Sequence, residues 1–180
     1  SNNLVMTKFS KKYAQDISSI AKIIDTNKIE KLVSELVKIK KKRGRIFFIG
    51  VGGSAGNCSH AVNDFRKLCN LECYAPVDNV SELTARINDE GWNSCFSNWL
   101  KVSKLNSKDC IFIMSVGGGD PKKKVSVNII EAIKYAKLKK SKIFGIVGHN
   151  GGYTKKNANC CINIPLVDHK FITQIGRAHV

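Results

Sequence analysis

Four short, almost wholly apolar runs constrain this chain more than any other feature. They are Arg45-Ile-Phe-Phe-Ile-Gly50, Cys110-Ile-Phe-Ile-Met-Ser115, Lys142-Ile-Phe-Gly-Ile-Val-Gly148 and Cys160-Cys-Ile-Asn-Ile-Pro165. Each is the length of a strand and lacks the polar alternation of a sheet with one wet face, so each reads as a strand buried on both sides. Helical stretches lie between them, over 55–68 and from about 126 to 139. Strands alternating with helices imply right-handed crossovers and a parallel sheet covered on both faces, the α/β three-layer sandwich.

Two amphipathic helices precede the first strand. Phe9, Tyr13, Ile17, Ile20 and Ile24 recur at spacings of three and four. Asn27 and Glu30 have capping-box spacing before a second stripe of Ile29, Leu32, Val33, Leu36 and Val37. Lys38 to Lys42 fall in that helix's last turns, where cations complement the dipole, and Gly44 is expected to end it. The organisation expected is a helical pair over 1–44, serving packing or an oligomer interface, and one ligand-binding domain over 45–174. Residues 175–180, IGRAHV, match an in-frame translation of a common sequencing adaptor and are expected to be a non-native tail.

The 180 residues suit one domain with a sizeable core. No apolar run approaches the roughly 18 residues of a membrane span, and the first residues lack a secretory signal. A cytoplasmic protein is expected. The seven cysteines are odd in number and scattered through apolar stretches, as buried reduced thiols would be. The net charge of +16 invites a nucleic-acid reading, but only five of the 30 basic residues are Arg and the lysines are spread over several stretches. Lys is a hydrated point charge, whereas Arg dominates base readout. A solvated surface that favours an anionic ligand is the better reading.

Ligands of open parallel sheets bind where strands run into helices at their carboxyl ends. Gly52, Gly53 and Ser54 make one such turn; Ser115, Gly117, Gly118 and Gly119 make another. Glycine allows close backbone approach, and a helix amino terminus offers unspent N–H groups to an anion. The spacing of G-V-G-G-S-A-G is wrong for a dinucleotide fingerprint, and no G-K-[ST] follows either turn. From the residues alone, a phosphate site and plain tight turns stay open.

Gly50-Val-Gly-Gly-Ser54 with His60 on the following helix, Asn88-Asp-Glu-Gly-Trp92, Ser115-Val-Gly-Gly-Gly119 and Gly148-His-Asn-Gly-Gly152 together resemble the sugar isomerase (SIS) domain family, from about residue 9 to 174. The branch resembled is that of the sedoheptulose 7-phosphate (phosphoheptose) isomerases. That resemblance implies a five-stranded parallel sheet of flavodoxin-like type after two helices, a homodimer or homotetramer, and a phosphosugar substrate. It also implies conversion of sedoheptulose 7-phosphate to D-glycero-D-manno-heptose 7-phosphate through an enediol, for lipopolysaccharide or surface-glycan precursors. Some SIS proteins are instead non-catalytic sensors or partner-binding regulators, which is the alternative.

By that resemblance Asp64 stands where the isomerases carry a catalytic glutamate, His60 matches a helix histidine, and Asn88 and Asp89 match an Asn-Asp loop. Ser54 and Ser115 match phosphosugar-contacting positions. His60 and Asp64 are four apart, on one helix face, with Asp64 expected as base and His60 as orienting partner or acid. The same pair is a possible divalent-metal (zinc) site, although no cofactor is required. His60 as a satisfied, partly buried histidine and Asp64 paired with Arg66 or Lys67 are the structural alternatives. The phosphate loop departs from the isomerases' S-T-S-G-N-S, reading S-V-G-G-G-D. Asp120 would repel a phosphate unless it is turned away, with Lys122 to Lys124 or backbone N–H groups supplying the attraction. Trp92 and Trp99, seven apart, are expected on one helical face at the core or an interface.

Overall fold

The computed structural model describes the backbone of residues 2–165 and side chains from residue 8 onward; the tail over 175–180 and the end of the expected domain, 166–174, lie outside the described residues. Helices α1 (Asn2–Ile23) and α2 (Thr26–Lys41) lead into β1 (Ile46–Gly50), α3 (Gly53–Cys69), β2 (Cys73–Tyr74), α4 (Val80–Glu90) and α5 (Cys95–Val102). Then come β3 (Cys110–Ser115), α6 (Val127–Leu138), β4 (Lys142–Val147), α7 (Gly152–Asn157) and β5 (Cys160–Asn163). All strand pairs are parallel and the order is β2-β1-β3-β4-β5.

The four apolar runs form the four strands expected of them, and their continuous hydrophobicity has a direct cause. Ile46, Phe48, Cys110, Phe112, Phe144 and Ile162 face one way, onto Leu32, Leu36 and Ile39 of α2 and Cys58 of α3. Phe47, Ile49, Ile111, Ile113 and Ile143 face the other way, onto Phe96 and Leu100 of α5 and Ile129 and Ile133 of α6. With helices on both faces, the middles of β1, β3 and β4 are buried on both sides. The fifth strand, β2, is two residues long and carries no periodicity of its own; it is defined by Ile46↔Cys73 and Phe47↔Tyr74 pairing.

Three local expectations are corrected. The second helix is capped by Asp25, whose carboxylate accepts the Lys28 N–H at 3.1 Å, and not by Asn27, which lies inside the first turn. Trp92 and Trp99 do not share a helix: Trp92 sits in the turn before α5, while Trp99 stands edge-on to Phe47 at 5.6 Å. Asn88 and Asp89 are in the last turn of α4 and not in a loop. The Asn79 cap on the Glu82 N–H and Arg86 paired to both Glu82 and Glu90 carry that helix through to Gly91. The second helix itself stops at Lys41, and the Gly44 N–H closes its end on the Ile39 carbonyl.

The cysteines behave as small hydrophobes. Cys58, Cys73, Cys95, Cys110 and Cys160 are buried, and burial pushes the Cys58 and Cys73 thiols up to about 12. Cys69, at the end of α3, is exposed. Because the thiolate is the nucleophile, a thiol reagent at pH 8 is expected to label one equivalent rapidly in the native state; mass mapping should place it on Cys69, and fast labelling of Cys58 or Cys73 would contradict this packing. No helix among the described residues is long and apolar enough to cross a membrane.

Candidate active site

The strand order turns back between β1 and β3. From β1 the chain leaves into α3 on one face of the sheet; from β3 it leaves toward α6 on the other. A crevice opens at such a switch point. Gly50 is paired with Met114, so the two glycine turns leave from neighbouring strand ends. At the first turn Gly52 adopts φ 61° and precedes α3 without any side-chain cap. A β-carbon on Gly50 would lie 2.7 Å from the Ser54 carbonyl carbon, so only glycine lets α3 begin this close to its strand. The Ser54 N–H is taken by the Val51 carbonyl at 3.2 Å, while the N–H groups of Gly53 and Ala55 have no partner among the described residues. Those are orphan donors of a helix start, aimed at the crevice end of the sheet.

At the second turn the Ser115 hydroxyl accepts the Gly118 N–H at 3.0 Å. Three carbonyls of this turn, those of Val116, Gly118 and Gly119, go to the β4–α7 segment. Val116 accepts from the Gly148 N–H (2.9 Å), Gly119 from the Tyr153 N–H (2.8 Å), and Gly118 from the Thr154 N–H (2.9 Å) and the Thr154 hydroxyl (2.8 Å). Gly118 takes φ 70°, and a β-carbon there would fall 2.0 Å from the Gly151 carbonyl oxygen. Three carbonyl oxygens of the turn are thus tied down, and the N–H groups of Gly117 and Gly119 remain unspent among the described residues. Thr154 is buried and sets the orientation of the whole loop. It was missing from the sequence reading, since nothing local marks a threonine 36 residues away as the loop's anchor.

Asp120 does not face the turn. Its Oδ1 accepts the N–H groups of Lys122 (2.9 Å) and Lys123 (3.1 Å), and its backbone pairs with Val125 in both directions at 3.0 Å. The Lys123 N–H, followed by that of Lys122, holds this carboxyl below the usual carboxylate range.

His60 and Asp64 meet on the outer half of α3, with Nε2 3.2 Å from Oδ2. Their side chains are 76% and 43% exposed, which removes the buried-histidine reading. Arg66 donates to the Cys73 carbonyl at 3.2 Å, and neither it nor Lys67 pairs with Asp64. Asn63 donates to the other Asp64 oxygen at 3.1 Å. Asn88 and Asp89 bond to each other at 2.8 Å and to neither glycine turn among the described residues. A residue pair that the sequence did not single out stands nearby: Ser59 of α3 donates a hydrogen bond to Asp78, in the segment after β2 at the same carboxyl edge. No cluster of three or more His, Cys, Asp or Glu side chains that would hold a metal occurs among the described residues. His60 and Asp64 alone fill two positions of a zinc shell that needs four.

A parallel 2-1-3-4-5 sheet with two glycine turns at its switch point, and a histidine–aspartate pair on the helix leaving the first, agrees with the sugar-isomerase resemblance of the sequence. The chain matches no family model. Individual relatives are informative. It is 31% identical over 162 residues to the phosphoheptose isomerase of Aliarcobacter butzleri, covering 86% of this chain and 80% of that protein. It is 27% identical over 158 residues to that of Cytophaga hutchinsonii, covering 86% and 78%. The chain belongs to the phosphoheptose isomerase family. The fold agrees: the phosphoheptose isomerase of Francisella tularensis superposes with a TM-score of 0.79 at 19% identity, over 96% of this chain and 90% of that one. That of Neisseria gonorrhoeae gives 0.78 at 21%, over 96% and 91%.

Proposed function

We propose that this chain is an aldose–ketose isomerase that interconverts sedoheptulose 7-phosphate and D-glycero-D-manno-heptose 7-phosphate. The observation that carries the reading is the His60–Asp64 contact on the helix that begins at the first glycine turn. Along α3 the pair lies about 10–16 Å beyond the turn at 1.5 Å per residue. A seven-carbon sugar with phosphate at one end and carbonyl at the other spans a gap of that order. The phosphate sits on the N–H groups of Gly53, Ala55, Gly117 and Gly119 with the hydroxyls of Ser54 and Ser115. That leaves the carbonyl end beside His60 and Asp64.

Asp64 removes the C1 proton of the open-chain ketose, and the electron pair moves into the C1–C2 bond as the C2 oxygen takes the charge of an enediolate. His60 donates a proton to that oxygen or holds Asp64 in place for the transfer. Loss of the O1 proton and return of a proton to C2 complete the aldose, with no atoms gained or lost. A sensor would bind the phosphosugar with the same turns but would have no use for the His60–Asp64 pair. The free cysteines suit a reducing compartment, and the cytoplasm is where the reaction is proposed to run.

An enediolate must be shielded from water, yet the pair is exposed in a single chain. Ile17, Ile23, Val33 and Val37 are also exposed, at 38–58%, on the two leading helices. A second copy covering these helices and closing the site is the occupant we propose. Sedimentation equilibrium is expected to give a dimer or tetramer, shifted toward monomer by Ile17→Glu with Val33→Glu; a wild-type monomer at micromolar concentration that is fully active would sink this part of the reading.

A further inference from the structure

The second glycine turn carries one side-chain hydroxyl, that of Ser115, where the resemblance implies several, and what stands next to it is a small cationic hairpin. Asp120 and Val125 form its base, an isolated antiparallel bridge, and Pro121 to Lys124 form its tip. Lys122, Lys123 and Lys124 are all exposed, and none makes a salt bridge among the described residues. The hairpin is braced from within by the Asp120 carboxylate, which accepts two N–H groups of the tip. The Asp120 charge is thereby spent on the backbone of the tip, which carries three lysines. The base of the hairpin is covalently continuous with Gly119, whose N–H is unspent.

We propose that Lys122, Lys123 and Lys124 are specificity-determining residues that supply the cationic half of phosphate recognition, clamping a phosphoryl group seated on the N–H groups of Gly117 and Gly119. This rests on the phosphosugar reading above and names the groups that replace the missing hydroxyls. Ammonium groups suit the task because they are mobile point charges that bind phosphate without demanding one geometry. Asp120 acts as a positioning residue, holding the tip.

The test compares the intact chain with two triple variants. One is Lys122→Gln, Lys123→Gln, Lys124→Gln. The other removes the same charge at the far end of the sheet by Lys137→Gln, Lys139→Gln, Lys140→Gln. Dissociation constants for sedoheptulose 7-phosphate and for inorganic phosphate are measured by calorimetry at two salt concentrations, alongside KM and kcat. The hairpin variant is expected to raise Kd and KM by about tenfold to a hundredfold at low salt, with kcat within about threefold and a flattened salt dependence, while the distal variant stays within about twofold. Equal losses in both variants, or a hairpin variant within twofold of wild type, overturn the proposal. Wild-type binding without turnover would refute the isomerase reading while leaving the clamp to be decided by Kd. Absence of wild-type binding to either ligand overturns both.

Discussion

Replacing Asp64 by Asn is expected to lower kcat by about 100-fold to 10,000-fold, the usual contribution of a positioned base, with KM changed by no more than a few-fold. The amide keeps the shape and the contact with His60 but cannot accept the C1 proton. Because the Asp64 side chain is 43% exposed and outside the core clusters, the variant should fold and assemble as the parent does. Asp64→Glu restores the longer side chain that the resemblance assigns to this position and is expected to retain activity within about tenfold. If Asp64→Asn turns over like the parent, the base lies elsewhere. If KM rises while kcat holds, Asp64 binds substrate and does not move the proton.

The largest expected effect on stability lies at the opposite edge of the sheet. Asp109, 1% exposed, accepts the backbone N–H of Arg45 (2.9 Å) and of Asn106 (3.1 Å), and takes the Arg45 guanidinium at 2.8 Å and 3.3 Å. The guanidinium also reaches the carbonyls of Ser103 (3.0 Å) and Lys104 (3.1 Å), so this cluster fixes the entries of β1 and β3 together. Asp109→Ala would strand a half-buried cation and two N–H groups, at a cost of about 3–5 kcal/mol. Urea denaturation is expected to show a midpoint lower by roughly 1–3 M. Arg45→Met with Asp109→Leu should recover part of that loss, since replacing both partners removes the uncompensated charge. A midpoint for Asp109→Ala within 0.3 M of the parent would show that the cluster contributes little. Activity at temperatures where the variant stays folded should be unchanged, because the site is at the other end of the strands.

What the sequence disclosed follows from how each signal is encoded. The apolar runs spell out four strands because burial on both faces fills nearly every central position with an apolar residue. His60 and Asp64 were legible as partners because the helix period alone places residues four apart on one face. Cys73-Tyr74 was not legible, since two residues carry no period and the strand exists only through its pairing with β1. Asp25 and Asn27 are both good caps, and local sequence does not choose between them. The glycine turn after β3 was legible, but its polarity was hidden: Tyr153 and Thr154, far along the chain, capture the carbonyls of Gly119 and Gly118 and leave the N–H groups of Gly117 and Gly119 free among the described residues. Asp120 looked like an obstacle to phosphate until its carboxylate proved to be bonded into its own hairpin.

The most direct measurement of the central claim is incubation of the folded 180-residue chain with sedoheptulose 7-phosphate, followed by proton NMR of the sugar. The account requires the anomeric proton of an aldoheptose 7-phosphate to grow to an equilibrium level with wild type and to be lost with Asp64→Asn. A folded wild-type chain that binds the ketose phosphate and yields no aldose would contradict it.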